Sequence, residues 1–374
     1  MKTLCWMTSE ASKIPMLFNV VKPARAVMTS VFFALVVAAL AGCSFKPEQQ
    51  IWEISGPIFG TRYHISVVME DDQIRLQQLA GGIEQVLDGV DAAMSTWRED
   101  SELSRFNLLP DQSDWTALSV PLYTVLLEAE TVSALTDGAF DVTIGPVVNL
   151  WGFGPDARPE KVPDEATLAR ILDRTGHEKI ELRDQPLGIR TSETQYLDLS
   201  AIAKGFGVDE VGRYLVSEGI SSYLVEIGGE VRVGGRKPDG SAWRLAIETP
   251  GDAAEQVNRI VALGGVLAVD SARNYRALAT SGDYRNYYEF NGQRYSHTLD
   301  PQTGKPITHN LASVTVIAEN CMRADALATG FTVMGFEDAM ALAVRQNIPA
   351  YFIVRGEAGF EAHYTPAFSS FITQ

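Results

Sequence analysis

The segment Cys321-Met322-Arg323-Ala324-Asp325-Ala326-Leu327-Ala328-Thr329-Gly330 places a carboxylate and a hydroxyl four residues apart. It runs on through Phe331, Val333 and Met334, and a helix is expected after Ala324. Asp325 and Thr329 then stack on one face. Paired hard oxygen donors of this kind suit Mg2+. The same two residues also fit a plainer helix, in which Asp325 offsets the macrodipole and Thr329 packs.

Four other stretches could do chemistry. In Leu197-Asp198-Leu199-Ser200-Ala201-Ile202-Ala203-Lys204-Gly205-Phe206-Gly207 a strand ends in Asp198, Ser200 can cap, and a helix follows with Lys204 near its start. Free N–H groups plus an ammonium favour an anion there, although a capped helix with a solvated lysine reads equally. The Gly-x-Gly lacks the third glycine of a dinucleotide fingerprint. Trp97 stands in the polar stretch 94–107, as a stacking platform for a flat ring or as packing against the core. Gly138-Ala139-Phe140-Asp141 follows a helix, and by itself is no more than a glycine C-cap. On a strand, His297 shares a face with Tyr295 and Leu299; it is either a structural histidine or a general base.

Several elements must position these groups. Ile51 to Met69 alternates as a strand pair or bent strand, broken at Gly56-Pro57 and Gly60. Leu76, Leu79, Ile83, Val86, Leu87, Val90 and Met94 predict an amphipathic helix. A second helix starts near Ser119, with Pro121 in its first turn, and stops by Gly138. Asp164 caps a short helix to Leu172, and Ser200 to Glu218 is helical. Strands are predicted at 179–199, 223–227, 230–233, 243–248, 265–269, 277–280, 287–290, 295–299 and 350–354, with Asn291-Gly292 as a hairpin turn. A further helix spans 337–345. Helices and antiparallel hairpins intermix, which predicts an α+β fold with one intertwined core.

The chain has 374 residues, 46% of them hydrophobic and 21% charged, with a formal net charge of −16. That is ample core material for a globular protein. So acidic a chain argues against a nucleic-acid partner, which would need clustered Lys and Arg. It leaves room for a phosphate-bearing small molecule if a metal supplies positive charge.

Lys22 and Arg25 precede an apolar run, 31–40, of signal-peptide length that ends in Leu40-Ala41-Gly42-Cys43. This resembles a bacterial lipobox with Cys43 as the lipidated residue. Residues 1–42 are expected to be removed and 43–50 to act as a tether for a domain over 51–374. Apart from Cys5 and Cys43, Cys321 is the chain's third cysteine, so the mature domain has no pair for an intrachain disulfide.

Six motifs occur in family order: Met-Ser-Thr-Trp-x-x-x-Ser-Glu-Leu-Ser-x-x-Asn at 94–107, Gly-Ala-Phe-Asp at 138–141, Asp-Leu-Ser-x-x-x-Lys-Gly at 198–205, Gly-Gly-Glu-Val at 228–231, His-Thr-Leu-Asp-Pro-x-Thr-Gly-x-Pro at 297–306 and Ala-Asp-Ala-x-x-Thr at 324–329. Together they resemble the ApbE family, the FAD:protein FMN transferases, from about Ile51 to the C-terminus. The resemblance implies a T-fold-related domain and a periplasmic, lipid-anchored enzyme, with the inner membrane favoured. It implies FAD as substrate, Mg2+ as cofactor, and transfer of FMN to a threonine hydroxyl of Nqr- or Rnf-type subunits with release of AMP. An FAD pyrophosphatase and a non-catalytic flavin-binding lipoprotein are the alternatives. By motif position, Phe59, Trp97, Ala139, Phe140, Asp141, Asp198, Lys204 and Leu299 are implied to contact FAD. The main-chain oxygen of Ala201 and the side chains of Asp325 and Thr329 are implied to hold the metal. His297 or Asp198 is the candidate base. The family often has Tyr at the Trp97 position and Met at the Phe59 position, and some relatives carry Asp where this chain has Ala328.

Overall fold

The computed structural model describes residues 48–155, 162–250, 257–263, 277–282, 287–290 and 293–373. The expected signal segment, Cys43, the strand at 265–269 and the Asn291-Gly292 turn lie outside them.

An eight-stranded antiparallel sheet follows chain order: β1 Gln50–Ile58, β2 Thr61–Met69, β3 Tyr223–Ile227, β4 Glu230–Gly234, β5 Ala277–Gly282, β6 Leu311–Ala318, β7 Ala350–Gly356 and β8 Gly359–Tyr364. Its helices are α1 Gln73–Met94, α2 Glu102–Asn107, α3 Val120–Leu135, α4 Ala203–Ser217, α5 Cys321–Met334 and α6 Phe336–Arg345, with shorter turns over Gly145–Leu150 and Glu165–Leu172. The mixed α+β architecture agrees with the sequence reading.

Strand alternation sorts side chains onto two faces. Ile65, Val67, Tyr223, Val225 and Ile227 pack with Leu79, Ile83 and Leu87 of α1 and Val208, Val211 and Leu215 of α4. On the other face Val231, Val233, Leu278, Ile317, Tyr351 and Ile353 pack with Trp243, Val261 and Phe368, from the hairpin of strands Trp243–Glu248 and Val257–Leu263 and from the C-terminal turn. Val314, Val316 and Phe352 join α3, α5 and α6 in a third cluster. Helix α5 is buried almost all round, so whatever polar groups it carries must find partners inside the protein.

Three local expectations are corrected. The first hairpin does not break at Gly56-Pro57. Gly56 sits under Tyr63, where a Cβ would come within 2.7 Å of the ring, and Pro57 is tolerated because β1 is an edge strand. The expected break at Gly60 is the one that forms: the chain turns at Phe59-Gly60, with φ +49° and +72°. A two-residue turn of this hand suits Asn and Gly, so Phe59 is held in a conformation its side chain disfavours. The polar stretch after Met94 is not all loop. Ser101 caps α2 by accepting from Ser104 N–H at 2.9 Å, and Leu103 and Phe106 turn inward. Helix α5 begins at Cys321 rather than after Ala324, because Asn320 caps it and Asp209 takes its first two N–H groups.

Candidate active site

The starts of α4 and α5 meet without side chains between them. A Cβ on Gly205 would lie 2.4 Å from the Cys321 carbonyl oxygen. Gly207 is likewise tight, with Phe59 Cε2 3.1 Å from the position of a Cβ. The Gly-x-Gly therefore serves helix packing and brings Phe59 of the first hairpin onto α4.

This close approach brings Asp325 to the first turn of α4. Gly205 N–H, which has no acceptor within the helix there, donates to Asp325 Oδ2 at 3.0 Å. Asp325 is thereby fixed, and the Ala201 oxygen, just ahead of the helix, accepts no backbone hydrogen bond among the described residues. Among the described residues nothing donates to Asp325 Oδ1. Thr124, Thr131 and Thr332 each donate to the carbonyl four residues back, whereas no such bond ties up the Thr329 hydroxyl. A main-chain oxygen, a carboxylate oxygen and a hydroxyl are thus uncommitted. They fit a hard divalent cation that takes few protein ligands and keeps positions open for phosphate. Among the described residues no group of three or more His, Cys, Asp or Glu forms a separate metal cage.

The charges around them do not balance. Lys204 Nζ lies 3.3 Å from Glu230 Oε1, 3.7 Å from Asp325 Oδ2 and 3.4 Å from the Ser200 carbonyl. Two buried carboxylates thus share one ammonium. Burial pushes the Asp325 carboxyl above its ordinary range, against the pull of Lys204 and Gly205 N–H. Burial pushes Glu230 up to about 8 despite Lys204, with Asp325 adding to the rise. Burial works to lower the Lys204 ammonium, but Asp325 and then Glu230 more than offset it and hold it above its usual value. A further positive charge would let both carboxylates ionise.

The remaining predicted residues connect through backbone pairing. Asn107 accepts from Leu197 N–H at 2.8 Å and donates to the Leu197 carbonyl at 2.9 Å, which ties the Trp97 loop to the segment carrying Asp198; that segment is not the expected strand end, since the preceding strand stops at Thr191. Asp198 N–H donates to the Val142 carbonyl at 2.8 Å, next to Asp141. Phe140 is buried against α5, where a Cβ on Gly330 would lie 3.2 Å from its Cβ. Ala139 sits on the same turn, partly buried. Asp141 accepts from Thr143 N–H and Oγ1 and from His177 N–H; its carboxyl is raised by burial, with those donors pulling it down. Trp97 is 69% exposed and packs into no core cluster. Its turn is nevertheless held: Ser101 and Ser104 both donate to the Ser95 carbonyl, and Arg98 pairs with Asp88 and Asp100.

Leu299 is buried with Val147, Trp151 and Leu168, and Trp151 Nε1 donates to the Gly304 carbonyl at 2.7 Å. His297 is partly buried, edge-on to Phe153 with ring centroids 6.3 Å apart. These two therefore stand against 147–153, which continues from the Asp141 turn. Ser200 does not cap α4. Asp198 Oδ1 accepts from both its N–H (2.8 Å) and its hydroxyl (2.6 Å), and the helix begins behind Ile202 with no side-chain cap.

Set against known proteins, the chain has clear matches. The ApbE family model covers residues 59–352. The chain belongs to the ApbE family. A curated Vibrio cholerae relative named FAD:protein FMN transferase is 45% identical over 335 residues, covering 90% of this chain and 96% of its own. The solved flavin transferase ApbE from Vibrio cholerae matches with a TM-score of 0.77 at 43% identity, over 86% of this chain and 99% of that one. The Pseudomonas stutzeri flavinyl transferase ApbE, in its apo form, matches at TM-score 0.77 and 40% identity, over 86% and 97%.

Two residues of this ApbE chain were not singled out from sequence. Glu230 lies inside a family motif, directly after a Gly-Gly turn, and that position was its signal. Asp209 gave a weaker one, as an acid at a position of α4 flanked by buried Val208 and Val211.

Proposed function

We propose that the chain is a Mg2+-dependent FAD:protein FMN transferase, which moves the FMN half of FAD onto a threonine hydroxyl of an acceptor protein and releases AMP. The observation that carries this reading is the Gly205 N–H to Asp325 bond, which fixes a buried carboxylate at the start of α4 and leaves its Oδ1 without a donor among the described residues. The likeness to proteins named as flavin transferases supports the same reading.

Ala201 O, Asp325 and Thr329 would hold the cation. When bound, it supplies neutralising charge at the diphosphate and stabilises the departing AMP. Lys204 adds a partly exposed ammonium at the start of α4, where Ile202 provides no side-chain cap. Trp97 and Phe59 offer aromatic surface for the isoalloxazine. The acceptor oxygen forms a bond to the phosphorus on the FMN side, the bond from that phosphorus to the bridging oxygen breaks, and AMP leaves with the electron pair. His297 or Asp198 takes the hydroxyl proton. Asp198 has Oδ1 occupied by Ser200 and would act through Oδ2.

The lipobox-like Leu-Ala-Gly-Cys supports an address on the periplasmic face of a membrane, with Cys43 as the anchor, and that address suits acceptors of the Nqr and Rnf type.

The test is incubation of the chain with FAD, Mg2+ and an acceptor subunit carrying the target threonine. Flavin fluorescence that stays on the acceptor band after denaturing electrophoresis is the expected result. Free FMN and AMP with an unlabelled acceptor would replace transfer by hydrolysis, and unchanged FAD would reduce the protein to a binder.

A further inference from the structure

We infer that Glu230 is a positioning residue that holds Lys204 on the Oδ2 side of Asp325, so that Asp325 Oδ1 remains open to a cation. This rests on the cation reading above.

Glu230 opens β4, straight after Gly228 and Gly229, whose φ values of +60° and +103° suit glycine. The turn aims the side chain at α4. The residue is 3% exposed. Its Oε1 meets Lys204 at 3.3 Å, while Oε2 is buried without a hydrogen-bond donor among the described residues and is turned toward Gly228, 3.5 Å from where a Cβ would stand. A half-satisfied buried carboxylate costs folding free energy, so the fold alone gives no reason to keep it.

The geometry supplies a reason. Of the two carboxylates near Lys204, Glu230 is the closer, at 3.3 Å against 3.7 Å. An ammonium is a compact charge on a flexible stem. With Glu230 gone, Asp325 is the carboxylate left within reach, and Lys204 would close onto the oxygens a cation needs. The tether therefore acts through Lys204, without Glu230 touching the cation.

The test is Mn2+ binding to the full-length chain without FAD, followed by the electron paramagnetic resonance of free Mn2+. Thermal melting of each variant checks that it is folded. Glu230→Gln is expected to weaken Mn2+ binding roughly tenfold or more. Glu230→Asp keeps the charge but falls short of Lys204, and should be weakened similarly. Adding Lys204→Met to Glu230→Gln should return affinity close to wild type, since the intruding ammonium is then absent. If Glu230→Gln binds like wild type, or if the double variant stays weak, the tether is overturned. Wild-type affinity in Glu230→Asp would overturn it too, because charge alone would then suffice. If wild type and Asp325→Ala bind Mn2+ alike, the cation reading itself fails and this inference goes with it.

Discussion

Helices α4 and α5 and strand β4 build two charged clusters side by side, and the two are finished differently. In one, Asp209 of α4 accepts from Arg232 of β4 through Oδ1 and from Cys321 and Met322 N–H of α5 through Oδ2, while Arg232 also donates to Tyr223. Charges balance and every carboxylate oxygen is used. In the other, Lys204 of α4 stands between Glu230 of β4 and Asp325 of α5. One carboxyl group has no cation of its own, Glu230 Oε2 has no donor among the described residues, and α4 starts without a side-chain cap. Glu230 and Arg232 are two apart on one strand face and reach the same helix, so the scaffold is common to both. A closed network rigidifies a fold. A network left short of one cation is poised to receive it.

The comparison breaks most visibly at the two aspartates. Asp325→Ala removes the fixed donor of the open cluster and is expected to lower transfer by roughly a thousandfold or more, as losing a charge-stabilising group at a reacting centre does. Its melting temperature should stay at or above wild type: one of two under-compensated buried carboxylates is gone, and Lys204 keeps Glu230 as its partner. Asp209→Asn should do the reverse. It leaves Arg232 buried without its anion, which costs about 3–5 kcal/mol, while the folded fraction keeps its turnover per molecule. Denaturant unfolding and single-turnover flavin labelling of both variants would check the pair. An unstable Asp325→Ala, or a stable but inactive Asp209→Asn, would mean that the two clusters have exchanged roles.

The sequence made the open cluster partly legible. Lys204 and Asp325 lie in motifs, and their chemistry follows from residue type. Strand and helix periodicity likewise gave the α+β class. The closed cluster was hidden, because an acid in a helix between two valines looks like a solvated position until a strand arginine and a helix start arrive from elsewhere in the chain. The reason for Gly205 was hidden for the same cause: its neighbour, Cys321, is more than a hundred residues away. Glu230 was visible as a motif residue and silent as to partner. Asn107, the last residue of the Trp97 motif, turns out to bridge to Leu197, a long-range contact that spacing alone cannot announce.

The smallest effect sharpens the contrast at the rim. Trp97 is a large aromatic left 69% exposed on a turn braced by Ser95, Ser101, Ser104 and Arg98. The bracing fixes the ring without burying it, so the fold gains little from the ring itself. Trp97→Ala should therefore change stability by less than about 0.5 kcal/mol, as surface substitutions do, and weaken FAD binding by about 1–3 kcal/mol, the range for stacking on an aromatic platform. Trp97→Tyr should retain most of the affinity, since the ring face is kept. Titration of FAD by flavin fluorescence quenching reads this directly. Equal FAD affinity in wild type and Trp97→Ala would remove the flavin from this turn and leave the exposed ring for another surface to cover.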